Sequence, residues 1–151
     1  MALNVLVDAN ILLYARFSDL PQHQAAREWL DRRLNDPEPT GIPWNSLTAF
    51  ARIASNPRVF SDPLDSHEIA AQIVQWTSRR NVWQPEPGER FTALFTGLLA
   101  VTQAGGNLVP DCFLAALAQE HGLTVVSSDT DFARFPNLRW FNPLDGTGNG
   151  F

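Results

Sequence analysis

The 151-residue sequence predicts an α/β fold, a single-domain α/β/α sandwich around a mainly parallel sheet of about four or five strands. Three observations carry this. Leu3–Val7 and Leu123–Ser127 are short, mostly apolar runs rich in valine and leucine, as strands covered on both faces are. Helical patterns alternate with them along the chain. Each run then leads into an aspartate, Asp8 directly and Asp129 shortly after, where open α/β sheets place their ligands.

The elements follow in order. Ala9 to Ala15 reads as a helix, Phe17 to Leu20 as a link, and Pro21 suits a helix start. Ala25, Ala26, Trp29, Leu30 and Leu34 share one face of that second helix, which Asp36-Pro37-Glu38-Pro39 stops. Thr40–Ile42 is a brief strand. Pro43 opens a helix with the stripe Leu47, Phe50, Ala54, ending at Asn56-Pro57. After a loop, Ser66 with Ile69 makes half a capping box, and Ile69, Ile73 and Trp76 keep helical period to Arg79-Arg80. Val82–Gln84 is a short edge strand.

Phe91, Leu94, Phe95, Leu98 and Leu99 build an amphipathic helix that stops at Gly105-Gly106. Pro110 starts another through Leu114, Leu117 and Ala118 to His121-Gly122. After the buried run to Ser127, Asp131–Phe135 is a helical turn and Leu138–Phe141 a last strand. Residues 1–144 are thus expected to form the domain, and 145–151, rich in glycine, a loose tail.

Composition narrows the function. Hydrophobic residues make up 44%, with five Trp, which suits a packed globule. The N-terminus lacks a basic n-region and Asp8 breaks its apolar stretch, unlike a signal peptide. The nearest approach to a membrane span, Phe91–Val101, is too short, so a cytoplasmic protein is expected. The lone Cys112 excludes an internal disulfide and any multi-cysteine zinc site. A net charge of −5 argues against nucleic-acid binding by a broad basic surface, though metals can neutralise acids locally. All 11 basic residues are arginines. Without lysine there is no Schiff base and no Walker A loop.

The acids carry the chemistry. Asp129 and Asp131 flank one residue at a strand end, a common way to hold a hard cation through oxygen. Asp111 lies in the first turn of a helix, where the dipole favours an anion. Each also suits a plain structural role: Asp8 or Asp129 can cap a helix, and Asp111 can be a first-turn charge. Taken together, three segments bring acids to one sheet edge with no lysine near.

Leu6-Val7-Asp8-Ala9-Asn10, Pro110-Asp111-Cys112-Phe113-Leu114-Ala115-Ala116-Leu117-Ala118 and Val126-Ser127-Ser128-Asp129-Thr130-Asp131-Phe132 resemble the three acidic motifs of PIN-domain nucleases. The closer likeness is to VapC toxins of VapBC toxin–antitoxin modules. Trp44-Asn45-Ser46-Leu47, Phe50-Ala51-Arg52-Ile53 and Asn56-Pro57-Arg58-Val59-Phe60 resemble a subset of them, and the likeness runs from Leu3 to Phe141-Asn142-Pro143-Leu144. The resemblance implies that Asp8, Asp111 and Asp129 bind Mg²⁺ or Mn²⁺, with Asp131 close by in the catalytic set. It implies Asn10 and Ser127 as orienting polar neighbours. The implied reaction is RNA hydrolysis by metal-activated water. The implied partners are RNA, a VapB-type antitoxin and a second copy of the chain in a homodimer.

One position departs from the family pattern. Three residues before Arg52, where the family usually has glutamate, stands Ala49; Asn45, one turn earlier, is a substitute oxygen donor. That departure keeps open a second class of function, an impaired PIN fold acting as a binding or antitoxin-titrating module. A Toprim-like phosphotransfer enzyme is a remote third, because it needs a glutamate where Asp8 stands.

Overall fold

The valine-rich runs pair into one sheet. The computed structural model describes residues 4–149. In it β1 (Val5–Val7), β2 (Thr40–Gly41), β3 (Val82–Trp83), β4 (Thr124–Val126) and β5 (Trp140–Phe141) are ordered β3-β2-β1-β4-β5. Every strand pairing is parallel. The α/β expectation is met, and Leu3, read as the start of the first strand, lies outside the described residues. The chain grows from β1 to β3 in one direction, then returns to add β4 and β5 on the other side. The switch point therefore falls between β1 and β4, and Asp8 and Ser127 follow the paired Val7 and Val126 there.

Six α-helices among the described residues cover the sheet. They are α1 (Ala9–Arg16), α2 (His23–Leu34), α3 (Trp44–Ala54), α4 (Ser66–Thr77), α5 (Phe91–Thr102) and α6 (Leu108–His121). Strand alternation sorts them into two layers. Val5, Val7 and Val126 face a core with Ile11, Leu30, Leu47, Phe50 and Trp76, from α1 to α4. Leu6 and Val125 face the other way onto Leu98, Leu114, Leu117 and Phe132. The strands thus lie between two apolar layers.

Helix boundaries moved for identifiable reasons. Helix α6 begins at Leu108, two residues before Pro110, because a proline in the first turn gives up an N–H that has no intrahelical partner. The cap of α4 is Asp65 and not Ser66. Its side chain accepts Glu68 N at 2.8 Å while Glu68 Oε1 accepts Asp65 N at 3.2 Å, a full capping box one residue earlier than read. Helix α5 ends at Thr102 on a left-handed Gln103, short of the glycine pair. Gly122, at φ 69°, closes α6.

Residues 145 to 149 differ from the loose tail expected. Asp145 Oδ1 accepts both Thr147 N, at 2.9 Å, and Thr147 Oγ1, at 2.6 Å, which turns the chain. Asn149 N then donates to Trp140 O and Asn149 Oδ1 accepts Trp140 N, both at 2.8 Å, in an antiparallel return along β5. Gly148 makes this possible: at φ +126° a Cβ would run into the Trp140 carbonyl. Gly150 and Phe151 lie outside the described residues.

Candidate functional site

Asp8 is fixed where β1 turns into α1. Its backbone N–H donates to Val126 O across the switch point at 3.0 Å. Its Oδ1 accepts Ala9 N at 2.8 Å, so Asp8 does cap α1, as Asp residues do. Its Oδ2 accepts the Ser127 hydroxyl at 2.7 Å and the Asn10 amide at 3.3 Å. Burial raises the Asp8 pKa above its ordinary value, and the nearby Asp129 adds to this, against the lowering effect of the Ser127 and Ala9 hydrogen bonds.

Ser127 is the hinge pin of the site. Buried at the end of β4, it donates to Asp8 while its own oxygen accepts Asp129 N and Asn10 Nδ2, both at 3.0 Å. Asn10 Oδ1 in turn accepts from Ser128 N at 3.3 Å. The two polar neighbours named from sequence thus tie the two strand ends together. Trp140 was missed: its buried indole N–H donates to Ser127 O at 3.0 Å, fixing the serine from behind. The available signal was a tryptophan in the last strand, which the register pairs with Val125.

Asp111, Asp129 and Asp131 come together from the first turn of α6 and the 3-10 turn Thr130–Arg134. Each offers a carboxylate oxygen, and the three lie within 4.8 Å of one another. Asp129 Oδ1 also accepts Asp131 N at 2.9 Å, so the capping role and the site role coexist. Burial first, then Asp129, Asp8 and Asp131, push the Asp111 carboxyl up to about 7. Arg134 Nη1, 4.0 Å from Asp131 Oδ1, is an exposed and loose counter-charge.

Asp111, Asp129 and Asp131 form the tight group, and Asp8 lies near enough for its charge to help raise Asp111 while its oxygens accept from Ala9, Asn10 and Ser127. The trio is all hard oxygen, a donor set suited to Mg²⁺ or Mn²⁺.

Helix α3 reaches the same sheet edge from β2. The parallel register Leu6↔Gly41 carries Asp8 opposite Pro43, so Trp44 and Asn45 open α3 beside the β1 end. Asn45 Oδ1 is enclosed and accepts no hydrogen bond from the protein, an orphaned oxygen of the kind a ligand satisfies. Ala49 is half-buried one turn further on.

Comparison with known proteins agrees with this geometry. The family model described as "PIN domain" matches residues 5–138. The "VapC ribonuclease Mb2897" of Mycobacterium bovis is 39% identical over 140 residues, covering 93% of this chain and 95% of that protein. "Ribonuclease VapC37" of Mycobacterium tuberculosis is 36% identical over 138 residues, covering 91% and 96%. Among solved structures, VapBC2 from Rickettsia felis, bound to a promoter DNA fragment, superposes with TM-score 0.63 at 17% identity, covering 91% of this chain and 97% of that one. VapC20 of Mycobacterium tuberculosis, titled a "Sarcin-Ricin loop cleaving toxin", gives 0.65 at 12% identity, covering 86% and 93%. At such identities these superpositions speak for the fold alone.

Proposed function

The chain belongs to the PIN-domain family, and from that premise we propose that it is a divalent-metal-dependent endoribonuclease, the toxin of a type II toxin–antitoxin pair. The observation that carries the reading is the trio Asp111, Asp129 and Asp131, with oxygens within 4.8 Å of one another at a topological switch point. A bound Mg²⁺ or Mn²⁺ there supplies charge neutralisation and Lewis acidity to a phosphodiester and to water.

The chain's own groups do the rest. Asp111, Asp129 and Asp131 hold the cation, and Asp8 adds negative charge from the β1 end. Ser127 and Asn10 keep Asp8 and the Asp129 backbone in fixed register through bonds of 2.7 to 3.3 Å. With its pKa raised to about 7, the Asp111 carboxyl can hold a proton near neutrality, and a cation held by the trio would favour its ionised form. Asn45 offers its unpaired oxygen from the α3 side.

The curated relatives are named ribonucleases and several structural neighbours are VapBC complexes, which supports RNA as substrate and a small VapB-type antitoxin as partner. We assign the activity to residues 1–144, acting in the cytoplasm as a homodimer. No helix among the described residues is long and apolar enough to cross a membrane. Gathered acids favour cleavage over an inert binding module. Incubating the purified chain with a long structured RNA and Mg²⁺ or Mn²⁺, with and without chelator, tests the reading. Chelator-sensitive cleavage is expected; intact RNA under every metal condition would overturn it.

A further inference from the structure

The five tryptophans are not equivalent. Trp76 and Trp140 are buried, Trp29 packs against the core, and Trp83 meets the His121 ring edge-on at 5.5 Å. Trp44 does none of these. It is 49% exposed, and no ring or side-chain hydrogen-bond partner holds its indole among the described residues. Single exposed apolar residues are ordinary on protein surfaces, so position decides.

Trp44 stands at the sheet edge that also carries Asp8, since α3 opens just past the end of β2, the parallel neighbour of β1. The parallel register Val5↔Thr40 and Leu6↔Gly41, counted on past the strand ends, brings Pro43 level with Asp8. Trp44 follows at once, at the first residue of α3, where Thr48 Oγ1 bonds its carbonyl at 2.9 Å and steadies the turn. The neighbouring Asn45 oxygen is enclosed and unpaired.

Charge explains what such a ring is for. A chain of net charge −5 without lysine, with acids gathered at its site, repels the phosphates of an approaching strand. Beyond what a bound cation neutralises locally, contacts indifferent to charge are the ones such a surface can add. A base has an uncharged face, and an exposed indole is a platform for it. We infer that Trp44 stacks on an unpaired nucleobase next to the cleavage position, making the first turn of α3 the base-holding subsite of the enzyme. This inference rests on the ribonuclease reading. It restricts the substrate to RNA in which that base is unstacked, as in loops and single strands.

The test compares wild type with Trp44→Phe and Trp44→Ala, using oligoadenylate and an abasic ribose-phosphate oligomer of equal length as probes. Ca²⁺ replaces Mg²⁺ for the binding measurements. Binding is read by tryptophan fluorescence quenching and by anisotropy of end-labelled probe, and long-RNA cleavage is measured separately in Mg²⁺. Wild type should bind oligoadenylate about tenfold or more tighter than the abasic oligomer. Trp44→Ala should lose that preference, and Trp44→Phe should keep most of it with less quenching. In cleavage, Trp44→Ala should raise KM more than it lowers kcat. Equal base preference in wild type and Trp44→Ala, with cleavage intact, would overturn the subsite alone. Trp44→Ala that binds RNA normally but no longer captures the antitoxin would overturn it in favour of a protein-facing tryptophan. A wild type that neither binds nor cleaves RNA overturns both readings.

Discussion

The Ser127 hydroxyl donates to Asp8 Oδ2 at 2.7 Å, joining the end of β4 to the end of β1 through one buried side chain. The same oxygen accepts Asp129 N at 3.0 Å. One serine thus sets the spacing of two acids 121 residues apart in sequence. Ser127→Ala should leave those groups short of a partner and destabilise the protein by about 1–3 kcal/mol. Cleavage should fall about 10- to 100-fold, because the acids lose their mutual registration. Thermal melting and a rate measurement check both. A variant as active as wild type would reduce Ser127 to a packing residue.

Asp111→Asn, Asp129→Asn and Asp8→Asn should each reduce metal-dependent cleavage by about a hundredfold or more while the circular dichroism spectrum is unchanged. Each keeps the side-chain size and removes charge. The geometry orders them in metal affinity: Asp111 and Asp129 belong to the trio, Asp8 does not, so Asp8→Asn should weaken Mn²⁺ binding least. Calorimetric Mn²⁺ titration checks the order, and equal losses for all three would place Asp8 among the direct ligands.

Much of this was readable in the sequence. The buried strands and the acids at their ends were legible because a two-faced parallel strand leaves an uninterrupted apolar run, and Asp8 and Asp129 break those runs. Boundaries that depend on a single hydrogen bond were not. Asp65-Ser66-His67-Glu68 does carry the capping-box spacing, which Ser66 with Ile69 lacks, but a choice between adjacent cap candidates moves the helix start by only one residue. The pairing of Asp131 with Asp129 was legible from their spacing, while its closeness to Asp111 depends on how α6 and the 3-10 turn pack together. The turn at residues 145 to 147 was not legible because glycine, asparagine and threonine mark both loose chain and tight turns.

The stability of the metal-free protein should depend on pH with a definite sign. Asp111 has its pKa raised from 3.8 to about 7, so between those values the folded chain keeps a proton that the unfolded chain has released. The resulting penalty is absent below about pH 4, grows as pH rises towards 7, and is complete above it. Asp8, also raised, acts in the same direction. Melting temperature in chelator should therefore fall from pH 5 to pH 8 on this account (pH values about), and Mg²⁺ should restore it by binding the native state. Asp111→Asn should flatten the fall relative to wild type. A wild-type slope unchanged in the variant would mean that Asp111 is not the group responsible.

Asn45 and Ala49 form a linked pair of predictions. With its Oδ1 enclosed and unpaired, Asn45 should contribute to cation binding, so Asn45→Ala should weaken Mn²⁺ affinity. Ala49→Glu, one helical turn away on a half-buried face, should tighten it and make the Asn45→Ala loss smaller. Titrations of both single variants and the double variant, with melting curves alongside, measure the coupling. If Ala49→Glu instead lowers the melting temperature sharply and leaves affinity unchanged, position 49 faces the packed interior.

The antiparallel return of residues 145 to 149 along β5 has a consequence for handling the protein. A sheet of five parallel strands presents two open flanks, each a row of backbone groups that can recruit another chain. The β3 flank is short, only Val82–Trp83 before Pro85, and offers little. The β5 flank is closed by Asn149 and Gly148. Truncation after Leu144 would uncover Trp140 and Phe141, and self-association into insoluble material should follow even though the acid site lies elsewhere. Affinity tags are better placed at the other end of the chain.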